Sequence, residues 1–318
     1  MDLDLPVKPS ARTALERLID YAGLFPPAQL AMAPALAEFA GIRSGPHAWM
    51  VGRFVVPASR VPELRRALGS RPAPALSVVL DVSRDPYRWF DEARTALASL
   101  ANLRAHRDPI ARVDALEIPL PSLLSQRETY DAAISQLGAM LSQAKLRDLP
   151  VYAEMPRTER WSDLVPGACA AATRARLSLK VRCGGVTADA FPSPEELAAF
   201  VIAAAREGVP FKATAGLHHP VRRLDPETGF TMHGFLNILV ACALAVGRTN
   251  GAAVLEAIAD EDAAAFAFEE DALTWRGRRF EAQEIAAVRE HAFVGYGSCS
   301  VAEPVEDLTA MAVLPKPA

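Results

Sequence analysis

The sequence lacks several features that would assign it to a specialised class of protein. Its four cysteines lie far apart without a CxxC pair, which argues against a zinc knuckle or a disulfide framework and fits a reducing cytoplasm. The 34 basic and 38 acidic side chains intermix, at a formal net charge of -4, and form no basic stripe of the kind that binds phosphate backbones. We therefore expect no nucleic-acid partner.

Long apolar runs are also missing. The most apolar segment, residues 235–247, is too short at about 1.5 Å per residue to cross a bilayer of about 30 Å, and it predicts a buried helix. Residues 1–10 carry acids where a signal peptide would carry lysines and an apolar stretch. We expect no membrane partner, no export and a cytoplasmic location.

What the chain does contain is enough apolar material for a large core, in a regular order. Hydrophobic residues make up 51% of the 318 residues and charged residues 23%. Short apolar runs alternate with amphipathic helical segments, which is typical of a parallel sheet covered by helices. Eight such runs can be counted, at residues 18–25, 48–56, 75–81, 112–120, 150–156, 178–185, 210–217 and 292–300.

Eight strand-helix units predict a closed (β/α)8 TIM barrel, as one domain over residues 1–318, because such barrels take roughly 250 residues plus insertions. The best-defined helix begins after the N-cap Ser193 and ends at Gly208. The spacing breaks once, at residues 262–283, where a period of two around turns predicts a small β-hairpin insertion. Its role is a lid, a subunit contact or a decoration of the barrel rim.

Alternation along the strands predicts which side chains face the barrel axis. In residues 178–185 the apolar side chains share one face and must pack against helices, so Lys180 and Arg182 point inward. Lys212 on the next strand points inward too, about 5 Å from Lys180 at the backbone. These residues are a candidate active site or a structural ion-pair layer. The other ionisable residues that alternation directs inward are Asp20, Arg53, Asp81, Glu117 and Glu154.

The two lysines suggest a specific chemistry. An ammonium crowded by a second cation at a site of low dielectric loses its proton more easily, and the neutral amine can attack a carbonyl carbon to form a Schiff base. Lys180 beside Lys212 and Arg182 meets this requirement. The alternative is that both lysines only bind an anionic substrate.

Four segments of the chain resemble, in the right order, those of class I aldolases of the deoxyribose-phosphate aldolase type: RVDALEIPL, LKVRCGG, FKATAGL and VGYGSCS. Those aldolases are (β/α)8 barrels with a Schiff-base lysine on the sixth strand and a second lysine on the seventh. The resemblance implies that Lys180 is the nucleophile and that Lys212 lowers its pKa. It also implies that Asp114 is the proton-relay acid and that Gly297 and Ser298 cradle a phosphate or carboxylate.

Alternation leaves the relay acid open, since it turns Asp114 toward the helices and Glu117 toward the axis. Near the end of the eighth strand, the small residues around Gly297, Ser298 and Ser300 offer backbone N–H groups suited to an anion. Cys299 has no basic partner nearby in sequence, which predicts an inert thiol.

His218 and His219 follow the seventh strand at the predicted mouth of the barrel. They are candidates to hold a metal together with Glu154, Glu117 or Asp20, and a neutral His218 is equally a candidate general acid or a residue that binds substrate oxygen atoms. Adjacent residues of an extended chain point in opposite directions, so one of the two at most would serve as a ligand comfortably.

Three functions follow from these candidates. The leading hypothesis is an aldolase-like carbon–carbon lyase, or a related carbonyl-processing enzyme, that acts on a small anionic substrate through a Schiff base on Lys180, with no cofactor and no metal. The second is a metal-dependent barrel isomerase or hydrolase that uses His218 and Glu154. The third is a non-catalytic barrel that binds an anionic metabolite. Assembly into a homo-oligomer is left open.

Overall fold

Each of the eight apolar runs contains one strand of a closed parallel barrel. The computed structural model describes residues 7–105, 112–125, 128–226 and 228–316. Around the barrel the strands follow chain order, and the last pairs with the first. The predicted TIM-barrel fold is confirmed. Numbered along the chain, the barrel strands are β1 (Ile19–Tyr21), β2 (Val51–Pro57), β3 (Leu76–Val79), β4 (Val113–Pro119), β5 (Val151–Glu154), β6 (Ser178–Arg182), β7 (Phe211–Thr214) and β13 (Phe293–Ser298).

Helices connect and cover these strands. The predicted buried helix at residues 235–247 is present as α8, and ten of its twelve residues are buried. Helix α7 begins with a capping box, in which Ser193 and Glu196 each satisfy a backbone N–H of the other, and it ends at Gly208. Within the described ranges no helix combines the length and apolar character needed to span a membrane. The helices are α1 (Pro9–Leu15), α2 (Met32–Ser44), α3 (Val61–Leu68), α4 (Pro86–Ala105), α5 (Asp131–Gln143), α6 (Trp161–Ala175), α7 (Pro194–Glu207), α8 (Phe235–Val246), α9 (Gly251–Ala259), α10 (Ala282–His291) and α11 (Ala302–Ala310).

Two small antiparallel sheets lie outside the barrel. One pairs β8 (Arg223–Leu224) with β9 (Thr231–Met232) in the connection between β7 and α8. The other is a three-stranded sheet where the sequence predicts a hairpin, with β10 (Phe266–Phe268), β11 (Ala272–Trp275) and β12 (Arg278–Glu281). Lys8 Nζ donates a hydrogen bond to the carbonyl oxygen of Phe268 at 2.7 Å. No residue of 262–283 lines the cavity described below, so a lid role for this insertion finds no support.

The loops that follow β6 and β7 meet backbone to backbone at the barrel mouth. A Cβ on Gly216, whose φ is +63°, would lie 2.9 Å from both the Cys183 carbonyl oxygen and the Gly184 Cα. A Cβ on Gly184 would lie 2.6 Å from a ring carbon of Phe191. Glycine is therefore required at both positions.

Candidate active site

A cavity of about 530 Å³ opens at the carboxyl ends of the barrel strands, where barrel enzymes carry their active sites. Two parts of it differ in character. We call the first the charged floor; it consists of the buried side chains Glu117, Glu154 and Lys180, which line the cavity, and of Asp20 and Lys212 behind them. We call the second the apolar wall; its members are side chains from the loops above, namely Phe25, Val186, Phe191, Phe230 and Met232.

Lys180 is the lysine that reaches the cavity. Strand pairing places Glu154, Lys180 and Lys212 in one row across β5, β6 and β7, which is the adjacency that alternation predicts. Lys180 Nζ lies 2.6 Å from Glu117 Oε2 and 2.8 Å from Glu154 Oε2. Lys180, Glu117 and Glu154 all line the cavity. An amine and two carboxylates thus meet at the point where a ligand would rest.

Lys212 lies behind Lys180, away from the cavity lining. Its Nζ donates hydrogen bonds of 2.6 Å to Asp20 Oδ2 and to Glu117 Oε1, and the side chain is 1% exposed. Ser77 Oγ donates a further hydrogen bond of 2.6 Å to Glu117 Oε1. Glu117 is therefore shared by both lysines and is fixed at the centre of the floor.

The pairing determines the charge states of the floor. Burial disfavours both ammonium groups, but the adjacent carboxylates outweigh burial and raise the pKa of Lys180 and of Lys212. Burial likewise opposes the charges on Glu117 and Glu154, and the lysines outweigh it and lower the pKa of both carboxyls. The expectation that Lys212 lowers the pKa of Lys180 is wrong for this arrangement, because Glu117 lies between the two cations and the carboxylates raise the pKa of Lys180.

Arginines surround the floor. Arg182, at the end of β6, lines the cavity with a half-exposed side chain, and its Nη1 is 4.0 Å from Glu154 Oε1. Arg84, which the sequence reasoning missed, contacts Glu154 Oε1 and donates a hydrogen bond of 2.9 Å to the Leu120 carbonyl oxygen. The backbone N–H of Arg53 donates to Asp20 Oδ1 at 2.8 Å, so that Arg53 supports the floor without lining the cavity.

The structure separates the two candidate histidines. His218 lines the cavity, with Nδ1 2.8 Å from Glu303 Oε2 in α11. His219 lies outside the cavity lining, with Nδ1 2.7 Å from Asp307 Oδ2 one turn further along α11. Among the residues that the structure describes, no group of three or more His, Cys, Asp or Glu side chains is arranged to hold a metal ion.

The remaining candidates divide in the same way. Gly297 and Ser298 line the cavity at the end of β13, whereas the Ser300 hydroxyl accepts a hydrogen bond of 3.4 Å from the Glu303 N–H at the start of α11. Asp114 forms an ion pair with Arg112 at 3.6 Å, and no described hydrogen bond or ion pair joins it to either floor lysine. The inward position predicted for Asp81 is wrong: β3 ends at Val79, and Asp81 is exposed and accepts a hydrogen bond from the Ser59 N–H.

Comparisons with known proteins give a distant likeness. No protein-family model and no curated protein matches the chain. Among solved structures, a deoxyribose phosphate aldolase from Aeropyrum pernix, described as a tetramer, is 12% identical over 94% of this chain and 93% of its own, at a TM-score of 0.49. An apo-form protein from Toxoplasma gondii ME49, provisionally named a deoxyribose-phosphate aldolase, is 11% identical over 95% of each chain, at a TM-score of 0.40. Similarity this distant does not support an inference about activity. The assignment of the TIM-barrel fold is based on the strand order of this chain.

Proposed function

We propose that this chain is an aldolase-like carbon–carbon lyase, or a related carbonyl-processing enzyme, in which Lys180 forms a Schiff base with a small anionic substrate. The observation that carries the proposal is the position of Lys180 Nζ in the cavity lining, within hydrogen-bond distance of two carboxylates. Schiff-base catalysis needs an amine and a group that takes and returns its proton, and both are present here.

In this mechanism Lys180 starts as an ammonium and must first lose a proton. Glu154 is the acceptor, because it lies 2.8 Å away in the cavity lining and, unlike Glu117, is not also paired with Lys212. A substrate that covers the pair removes water, and a medium of low dielectric favours the neutral amine and carboxylic acid over the ion pair. The amine then attacks the substrate carbonyl carbon, Glu154 returns its proton to the former carbonyl oxygen, and water leaves as the iminium forms.

When the substrate carries a hydroxyl group β to that carbon, Glu154 takes the hydroxyl proton, the carbon–carbon bond breaks to give a new carbonyl group, and the electron pair moves to the iminium to form an enamine. Protonation of the enamine and hydrolysis release the second fragment and restore Lys180.

The other floor residues position these two. Glu117 holds Lys180 and Lys212 in fixed places, and Lys212 balances the charge of Glu117 and Asp20. By their contacts Glu117 and Glu154, and not Asp114, are the acids of the site. Arg182, half exposed at the cavity lining, is placed to bind the anionic group of the substrate.

The apolar wall narrows the substrate class. A sugar phosphate presents hydroxyl groups on every side, whereas the rings of Phe191 and Phe230, with centroids 5.2 Å apart, face the cavity and offer those hydroxyls no partner. A 2-oxo acid with an apolar body supplies a ketone for Lys180, a carboxylate for Arg182 and a surface for the wall. We propose this class of substrate.

Borohydride trapping tests the proposal. Incubation with phenylpyruvate and borohydride is expected to add the reduced ligand mass to Lys180, more rapidly than incubation with pyruvate does. Lys180→Met removes the adduct, and the surface variant Lys145→Met keeps it. An enzyme that cleaves or forms a carbon–carbon bond while Lys180 stays unmodified would overturn the Schiff-base role.

One observation favours a second candidate, the non-catalytic barrel that binds an anionic metabolite. Both floor lysines have a raised pKa and rest as ammonium groups, as anion-binding residues do. In that case phenylpyruvate would raise the melting temperature without any adduct or turnover. The predicted metal-dependent function has no such support in the contacts of His218 and Glu154, and homo-oligomerisation stays a prediction.

A further inference from the structure

A second group of reactive side chains lies in the same cavity, apart from the charged floor. Cys299 follows β13, His218 follows β7 and Glu303 belongs to the first turn of α11. Cys299 Sγ is 4.0 Å from His218 Nε2, and His218 Nδ1 is 2.8 Å from Glu303 Oε2. The three side chains therefore form a chain of contacts from thiol to imidazole to carboxylate.

This order matches what a nucleophilic thiol requires: a base beside the nucleophile and a third group that orients the base. Cys299 and His218 both line the cavity, so a ligand bound there can reach the sulfur. The premise of the inert-thiol prediction, that no basic partner lies nearby in sequence, holds along the chain but not in space, because His218 is 81 residues away in the sequence and adjacent to the sulfur.

The charge on His218 supports the same reading. Burial disfavours the protonated ring, but the contacts with Cys299 and Glu303 outweigh burial and raise the pKa of His218 to about 10. The imidazole therefore carries a proton at neutral pH and can give it to an oxygen that develops negative charge.

The other cysteines show the contrast. Cys169, Cys183 and Cys242 are at most 1% exposed, and burial raises the pKa of each thiol. None of these three lines the cavity. They are internal controls for any measurement on Cys299.

We propose that Cys299, His218 and Glu303 form a second nucleophilic centre in this cavity, which adds reversibly to the carbonyl carbon of an aldehyde. The sulfur bonds to the carbonyl carbon, the π electron pair of the carbonyl moves to its oxygen, and that oxygen takes the proton of His218 Nε2. The thiol proton then passes to the vacated His218 Nε2, which leaves a hemithioacetal and restores the charged ring. The reverse steps release the aldehyde, and no oxidant or reductant is needed. The proposal stands whether or not Lys180 forms a Schiff base.

Alkylation of the native protein by iodoacetamide at pH 7 tests the activation of Cys299, with each site followed by peptide mass spectrometry. We expect Cys299 to react first and His218→Gln to slow its reaction about tenfold or more. The matched variant His219→Gln, which alters the neighbouring histidine–carboxylate pair, leaves the rate unchanged. Glu303→Gln slows the reaction and Glu306→Gln, in the same helix, does not. If His218→Gln left the rate of Cys299 alkylation unchanged, the proposed centre of Cys299, His218 and Glu303 would be overturned.

Carbon-13 NMR with carbonyl-labelled benzaldehyde tests the addition itself. A hemithioacetal carbon is tetrahedral, whereas a Schiff-base carbon stays trigonal, so the two centres give different resonances. We expect a protein-bound tetrahedral signal in the native protein and in Lys180→Met, and its loss in Cys299→Ala. His218→Gln, which keeps the thiol, is expected to weaken the signal. The aldehyde centre is refuted if the native protein lacks the signal or if the signal survives Cys299→Ala. Either result leaves the Schiff-base role of Lys180 to be decided by borohydride trapping.

Discussion

The floor of the cavity consists of buried ionised side chains projecting from barrel strands, whereas its upper wall consists of apolar side chains carried by loops. Floor residues satisfy one another through contacts of 2.6 to 2.8 Å, as with Lys180 and Glu117. Wall residues such as Phe191 and Phe230 are only partly buried, and their rings pack against each other with centroids 5.2 Å apart. The floor therefore belongs to the folding core, while the wall can change with little effect on folding.

Removal of a floor cation is expected to have the largest effect. Lys212→Met takes the shared cation away from Asp20 and Glu117, and breaking a buried pair in this way costs about 3–5 kcal/mol. We expect the free energy of unfolding in urea to fall by that amount. Lys145→Met at the surface is the control. A loss equal to that of the control would show that the floor does not contribute to folding stability.

The second-largest effect is expected from acid, which should weaken the ion pairs of the charged floor. Glu117 and Glu154 have a lowered pKa in the folded state, so their stabilisation is present above the unfolded pKa of about 4.3 and is lost as pH falls below it. A carboxyl whose pKa is lowered by two units loses about 2–3 kcal/mol in this way.

Unfolding measured between pH 6 and pH 3 should therefore show a steep loss of stability in the native protein. Glu117→Gln should flatten that slope, because an amide does not titrate, while the exposed Glu306→Gln should leave it unchanged. An identical slope in all three proteins would contradict a lowered pKa at Glu117.

Truncation of the wall is expected to have the smallest effect on folding. Phe230→Ala should cost about 1 kcal/mol or less, because the ring is only partly buried, whereas Phe200→Ala in the core should cost about 3–5 kcal/mol. Phe230→Ala should nevertheless weaken phenylpyruvate binding several-fold, measured by calorimetry. If Phe230→Ala left binding unchanged, the wall would not select an apolar substrate.

The same contrast explains what could be predicted from the sequence. Alternation in β5, β6 and β7 is regular, and it was enough to direct Glu154, Lys180 and Lys212 inward and to make the lysines neighbours. It failed at Asp81, because nothing in the local pattern marks the end of β3 at Val79. Floor residues that the strands carry are predictable for this reason.

Residues on loops follow no such period. Arg84 reaches Glu154 from a loop 70 residues away, and the wall residues Phe191 and Phe230 lie in connections whose path the sequence pattern does not determine. The His218 and Cys299 contact joins two loops in the same way. The charge state of Lys180 could not be predicted from the sequence either, since it depends on which carboxylates contact its amine in the folded protein.

The backbone contact between Gly184 and Gly216 sets a limit on how this cavity can be redesigned. Any side chain at either position would push apart the loops that carry Phe191 and His218, because no space exists for a Cβ. A mutagenesis library that varies Phe230 and Met232 but keeps both glycines should retain most of its folded members. A library that includes the glycines would lose members before their substrate preference could be measured.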